Sequence, residues 1–196
     1  MNSARAAERY IDRGVSVVPL RPRGKETVLE SWPELRLAIA DLPKYFHADS
    51  NIGILNGEPS RGLVDVDLDC SEAIAIARVM MPETLTSGRK GSPATHHWYR
   101  CDPVPRTRKY ALSVPGGGSE TIIELRSTGT QTLVPPSVYP DGERCTWGAG
   151  KVHEIPGPEL ERLVLEVAVG AVVLRHWPQR GRHAMALAVA GFLGRL

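Results

Sequence analysis

The sequence predicts an α+β fold: a mixed, largely antiparallel central sheet flanked by helices, with a C-terminal helical extension. Three observations predict it. Apolar residues recur at helical spacing near both termini, the middle alternates with period two in short runs, and turn-forming residues join several of those runs.

Residues 3–13 read as a helix, with Ala4, Ala7, Tyr10 and Ile11 on one spacing, Ser3 as candidate cap and Gly14 as the stop. The β-branched run 15–20 reads as a short strand ended by Pro19. A loop over 21–36, basic at its start, and a weak helix over 34–46 follow. Residues 52–55 form the next strand, and NGEPSRG (56–62) is a turn segment. Strict alternation resumes in LVDVDLD (63–69), and a helix starting near Ser71 sets Ala73, Ile74, Ala77 and Met81 on one face. A polar loop, TSGRKGSPA (86–94), leads to the aromatic-rich strand THHWYRC (95–101). PGGG (115–118) turns the chain into the strand TIIELR (121–126). TQTLVPP (130–136) and ERCTW (143–147) flank a second hairpin at Asp141-Gly142. Amphipathic helices are expected over 158–176 and 182–195.

Composition excludes some classes. Of 196 residues, 42% are hydrophobic and 23% charged, as in a soluble globular domain, and a net charge of +2 is not that of a polycation coating DNA. Arginines outnumber lysines 19 to 5, which suits bidentate phosphate contacts but is also what a GC-rich genome produces. Cys70, Cys101 and Cys145 are widely spaced, so no zinc site and no disulfide framework are expected. No apolar run approaches the roughly 20 residues that span a bilayer. The charged N-terminus lacks a signal-peptide core, so the expected location is cytoplasmic with no membrane contact. Because the last helical pattern runs to the chain end, a longer protein is expected. Its parts here are a domain over 1–157 and helices over 158–196 that begin a linker to a helicase-type region.

Three elements carry chemistry. In Asp65-Val66-Asp67-Leu68-Asp69 the strand period puts all three carboxylates on one face, with Val64, Val66 and Leu68 on the other. Neighbouring carboxylates, about 7 Å apart, repel by about half a kcal/mol in water and by several times that at a lower effective dielectric. Hard divalent cations, Mg²⁺ or Mn²⁺, supply the compensation. The bland alternative is a solvated strand face whose end feeds the helix at Ser71. The second element is the His96-His97 doublet, of which only one can share a face with Trp98. Ahead of it, Ser87, Arg89 and Lys90 lie in a glycine-containing loop suited to phosphates, though without P-loop spacing. Trp98 and Tyr99 are candidates for stacking on a base or for core packing. The third is Glu124, which interrupts an apolar strand with Arg126 two residues on; they are either a surface pair, or a further metal ligand with Arg126 a candidate for binding nucleotide. Arg106, Arg108 and Lys109 are candidates for tracking a nucleic-acid backbone.

An aspartate pair on one strand, a histidine on a second and an acidic residue on a third resemble the archaeo-eukaryotic primase superfamily. More narrowly, the chain is similar to the primase-polymerase domain at the N-terminus of phage and plasmid replication proteins. Gly14, Pro19, Leu20, Lys25 and Trp32 resemble that domain's opening, and NIGILNG (51–57) its next block. VPPSVYPDG (134–142), closed by Trp147, resembles its last, so the likeness covers roughly residues 4–157. The resemblance implies that two of Asp65, Asp67 and Asp69 bind metal, with Asp67 and Asp69 favoured by their distance from Gly62. It implies that His96, or else His97, contacts nucleotide phosphates, and that Glu124 is the final acidic residue. It further implies two-metal nucleotidyl transfer from nucleoside triphosphates on a single-stranded DNA template. The alternatives are a metal-dependent nuclease using the same carboxylates, or a non-catalytic single-stranded nucleic-acid-binding module.

Overall fold

A computed structural model describes residues 2–27 and 29–193. The first helix, α1 (Ser3–Ile11), is capped by Asn2, whose side chain accepts the N–H of Ala4. Ser3, the expected cap, instead donates its hydroxyl to the carbonyl of Ser50 at 2.7 Å. Strand β1 (Val17–Leu20) contains Pro19 rather than ending there, because β1 lies at a sheet edge where a missing N–H costs little. The helix expected over 34–46 breaks into 3₁₀ turns, Trp32–Glu34 and Ile39–Asp41, and the short α2 (Leu42–Tyr45). Pro33 and Pro43 sit at the starts of two of these pieces, where proline is tolerated, and a longer helix would have to carry Pro43 inside it.

Then come β2 (Asn51–Leu55), β3 (Leu63–Leu68), α3 (Ser71–Met80), β4 (Leu85–Arg89) and β5 (Ser92–Cys101). They are followed by β6 (Arg108–Ser113), β7 (Ser119–Arg126), β8 (Gln131–Val134), β9 (Thr146–Trp147) and β10 (His153–Ile155). Two long helices, α4 (Gly157–Arg175) and α5 (Arg182–Leu193), follow; residues 194–195, the end of the last predicted helix, lie outside the described residues.

Segment 86–94, expected as a loop, is most of a β4–β5 hairpin turning at Lys90-Gly91. Its glycine belongs to tight pairing: a Cβ on Gly88 would stand 2.5 Å from the Ser92 carbonyl oxygen. Strand β6 was not expected; its inward residues Tyr110 and Leu112 alternate with exposed ones, as on an edge. The hairpin around Asp141-Gly142 forms over 137–145, closed by Tyr139 N–H to Glu143 at 2.8 Å and Cys145 N–H to Ser137 at 2.9 Å. Strand β8, however, pairs with β2, and β9 leaves to pair with β4.

The strands form a three-stranded sheet, β1-β2-β8, and a larger one in the order β6-β7-β3-β5-β4-β9, with β10 parallel to β5 and the other pairs antiparallel. The α+β expectation therefore holds. On one face of the larger sheet Val64, Val66, Leu68, Tyr99, Ile123 and Leu125 pack against α3 and α4. From α4 alone Leu160, Val164 and Val167 are fully buried, each stabilising the fold by about 1.5–3 kcal/mol. The boundary at 157/158 thus falls at the first turn of a core helix, whereas α5 is largely exposed, with Leu187 60% accessible. On the other face Trp98 meets α1 and the small sheet through Ala6, Ala7, Val17, Ile52 and Val134. Among the described residues no helix is long and apolar enough to cross a membrane.

Candidate active site

Strand β3 runs between β7 and β5, and the register sets Asp67 opposite both Glu124 and His96. Directly paired residues share a sheet face, so three chemically active side chains form one rung across three strands. The rung continues to Lys109 beyond Glu124 and to Ser87 beyond His96. The neighbouring rung on that face is Arg126, Asp65 and Trp98. His97 points to the helix-covered face, and burial lowers its pKa.

The three aspartates differ in burial. Asp65 is fully buried, Asp67 nearly so, and Asp69, one residue past the strand, is exposed. Oδ2 of Asp65 accepts the Thr132 hydroxyl at 2.8 Å and faces His96 Nδ1 at 2.9 Å. Burial opposes ionisation of Asp65, but His96, Arg126 and Thr132 outweigh it and hold the carboxyl low. Burial likewise pulls His96 down while Asp65 and Asp67 pull it up further, so the shift of each partner favours its charged form. With Nδ1 committed to Asp65, His96 reaches the pocket it lines through Nε2.

Asp67 lies between two cations: Arg126 Nη2 is 2.7 Å from Oδ2 and His96 Nδ1 is 3.4 Å from Oδ1. Burial still dominates, aided by Asp65 and Asp69 against His96 and Arg126, and its carboxyl is pushed up to about 6. The same guanidinium donates from Nε to Glu124 Oε2 at 2.9 Å.

Asp67 and Asp69 line an open pocket of about 370 Å³, together with His96, Arg89, Lys25, Tyr139 and the start of α3 at Cys70 and Ser71. A larger cleft of about 590 Å³ opens at the other end of β3, by Arg61 and Arg100, and contains none of the predicted site residues.

The family of bifunctional DNA primase/polymerase N-terminal domains matches residues 7–160. The chain belongs to this family. No curated protein matches it. Membership carries a DNA primase/polymerase-type function, and the matched span takes in both sheets and the first turn of α4.

Within this primase/polymerase domain the fold gathers Asp65, Asp67, Asp69, His96, Glu124, Arg126 and Arg89 around the acidic rung. The other predicted site residues do not line the pocket. Ser87 is buried, its hydroxyl accepting the Trp98 indole N–H at 2.9 Å, and Lys90 is exposed at the hairpin tip. Trp98 and Tyr99 are both fully buried core residues. Arg106, Arg108 and Lys109 are exposed; Arg106 precedes β6, and of the two consecutive strand residues that face opposite ways Lys109 is the one on the acidic face.

Sequence reasoning missed Tyr139 and Thr132. Lys25 Nζ lies 5.4 Å and Arg89 Cζ 4.9 Å from the centre of the Tyr139 ring, which holds both cations at the pocket. Arg89 also pairs with Asp141 and Glu143. Only the VPPS stretch, quoted for its likeness, hinted that this region bears on the site.

The donors present suit a hard divalent cation. Asp67 and Asp69 offer carboxylate oxygens at the pocket. Among the described residues no three His, Cys, Asp or Glu side chains converge into a closed cage. Mg²⁺ commonly uses one or two carboxylates and completes its shell with water and substrate phosphate. Glu124 faces the same rung but is engaged by Arg126.

Proposed function

We propose that this chain catalyses metal-dependent nucleotidyl transfer, joining a nucleotide from a (deoxy)nucleoside triphosphate to a primer 3′-hydroxyl on a single-stranded DNA template. The observation that carries the reading is the in-register rung of Glu124, Asp67 and His96, with Asp69 at its open end. Asp67 and Asp69 hold Mg²⁺ or Mn²⁺. Two such cations, when bound, lower the pKa of the attacking hydroxyl and stabilise the leaving pyrophosphate.

The chain's own residues do the rest. His96, kept cationic and oriented by Asp65, presents Nε2 to the phosphates. Lys25 and Arg89 add positive charge across the pocket, and the N-terminus of α3 presents backbone N–H groups on its other side. Asp65 acts through His96 rather than on metal, since it is fully buried and does not line the pocket. Lys109 extends the rung toward solvent, where a template backbone passes. In a phage- or plasmid-type replication protein the domain acts alongside a covalently linked helicase region.

The test is primer extension on single-stranded DNA with Mn²⁺ and dNTPs, comparing the wild type with Asp67→Ala/Asp69→Ala. Triphosphate-dependent lengthening that disappears in the variant supports the proposal. Shortening of the labelled strand means a nuclease, and DNA binding with neither outcome means a non-catalytic module. Lengthening by both proteins would sink the aspartate assignment.

A further inference from the structure

Arg126 bridges the two carboxylates of the acidic rung. A single guanidinium spans Asp67 on β3 and Glu124 on β7, at 2.7 and 2.9 Å. All three side chains are largely buried, and carboxylates in such surroundings require a charged partner. Through Asp67 Oδ2 this partner occupies one carboxylate oxygen of a residue that lines the pocket.

We propose that Arg126 is a resident counter-cation that holds Asp67 to Glu124 in the metal-free protein and releases Asp67 when a divalent cation binds. The inference rests on the metal-dependent reading above. Arg126 is a positioning residue in it, setting where two carboxylates stand and how readily they accept metal.

Two consequences follow from linkage. Guanidinium and metal compete for one carboxylate, so whatever Arg126 contributes to holding the rung closed is subtracted from metal affinity. The fold therefore survives without metal, at the cost of weaker metal binding. A released guanidinium also needs a new anion, and a triphosphate in the adjacent pocket brings one. Metal and nucleotide then bind the site cooperatively, each more tightly in the presence of the other.

The experiment is calorimetric titration of Mn²⁺ into the wild type, Arg126→Gln and Arg126→Lys, without DNA or nucleotide, paired with melting curves at each Mn²⁺ concentration. Arg126→Gln is expected to bind Mn²⁺ about tenfold more tightly, within the usual range of coupling between linked sites. It should also melt lower than the wild type without metal and gain more from Mn²⁺. Arg126→Lys keeps a charge but lacks the fork that spans two carboxylates, so it should fall between them; it carries the test if the glutamine variant does not fold. If neither variant binds Mn²⁺ more tightly than a wild type that does bind it, the inference falls and the metal-dependent reading stands. If none of the three proteins binds Mn²⁺, both fall. Because binding is read directly, a lack of primer extension does not affect the outcome.

Discussion

Arg126 spans Asp67 and Glu124 at 2.7 and 2.9 Å on the acidic face of the large sheet. Arg175, in the last turn of α4, spans Glu72 and Glu120 at 3.0 and 2.9 Å on the solvent side of the helix layer. The geometry is nearly the same and the surroundings are not: the inner carboxylates are 10% and 20% exposed, the outer ones 22% and 47%. Their titration differs accordingly. Burial pushes the Asp67 carboxyl up to about 6 in spite of Arg126, whereas hydrogen bonds from Arg175 draw Glu72 down to about 2. An ion pair of given length is thus a structural clip where water remains and an unsatisfied site where water is excluded. On the proposed reading, the inner bridge, not the outer, is where the metal binds.

The inner network should break most severely at Asp65, which is fully buried and joined to both His96 and Thr132. Asp65→Asn removes one charge of a buried pair and leaves His96 only its longer contact to Asp67, at 3.4 Å. Denaturant unfolding should show a loss of about 3–5 kcal/mol. Extension activity should fall as well, because His96 loses the group that orients it. Unchanged stability would mean that Asp65 and His96 are not an ion pair.

Much of this face was legible in the sequence, because a strand repeats every two residues. LVDVDLD announced β3, its apolar face and the common side of Asp65 and Asp67. It did not announce that the strand ends at Leu68, so that Asp69 is exposed while Asp65 is sealed in. That gradient comes from what lies above the sheet, and Thr132 reaches Asp65 across 67 residues of chain. Tyr139 is brought to the pocket in the same way, from a hairpin with no local signal of chemistry. Only the 86–94 part of the β4–β5 hairpin reads as a loop, because glycine, serine and lysine mark tight pairing and open loops alike. Strand β6 was missed because Arg108 and Lys109, at its start, mask the inward residues Tyr110 and Leu112.

A smaller effect is expected from Glu124→Gln, which keeps an acceptor for Arg126 but removes one charge from the inner bridge. Stability should change by about 1 kcal/mol. The more telling change is at Asp69, whose carboxyl, although the residue is exposed, stands above its usual range through partial desolvation, with Glu124 adding to the rise against the pull of Arg126. Carboxyl-detected NMR titration of the metal-free variant should show Asp69 moving down. An unmoved Asp69 would separate Glu124 electrostatically from the aspartates and weaken its place in the acidic rung.

The smallest effect belongs to the outer bridge, and its pH dependence has a defined sign. Glu72 titrates at about 2 in the folded protein against an ordinary 4.5, so folding is favoured by its ionised form. That contribution is complete above 4.5 and is lost as pH falls through about 2. Arg175→Ala should therefore lower the melting temperature slightly at neutral pH, and the gap from the wild type should close as the solution is acidified across that window. Salt should narrow the gap too, because the pair lies at the surface. The cost of Asp65→Asn, buried beyond the reach of counterions, should change little at the same salt concentrations. An Arg175→Ala gap that persists through acid and salt would mean that Arg175 acts through packing of its aliphatic stem. The contrast between the two bridges would then rest on the inner one alone.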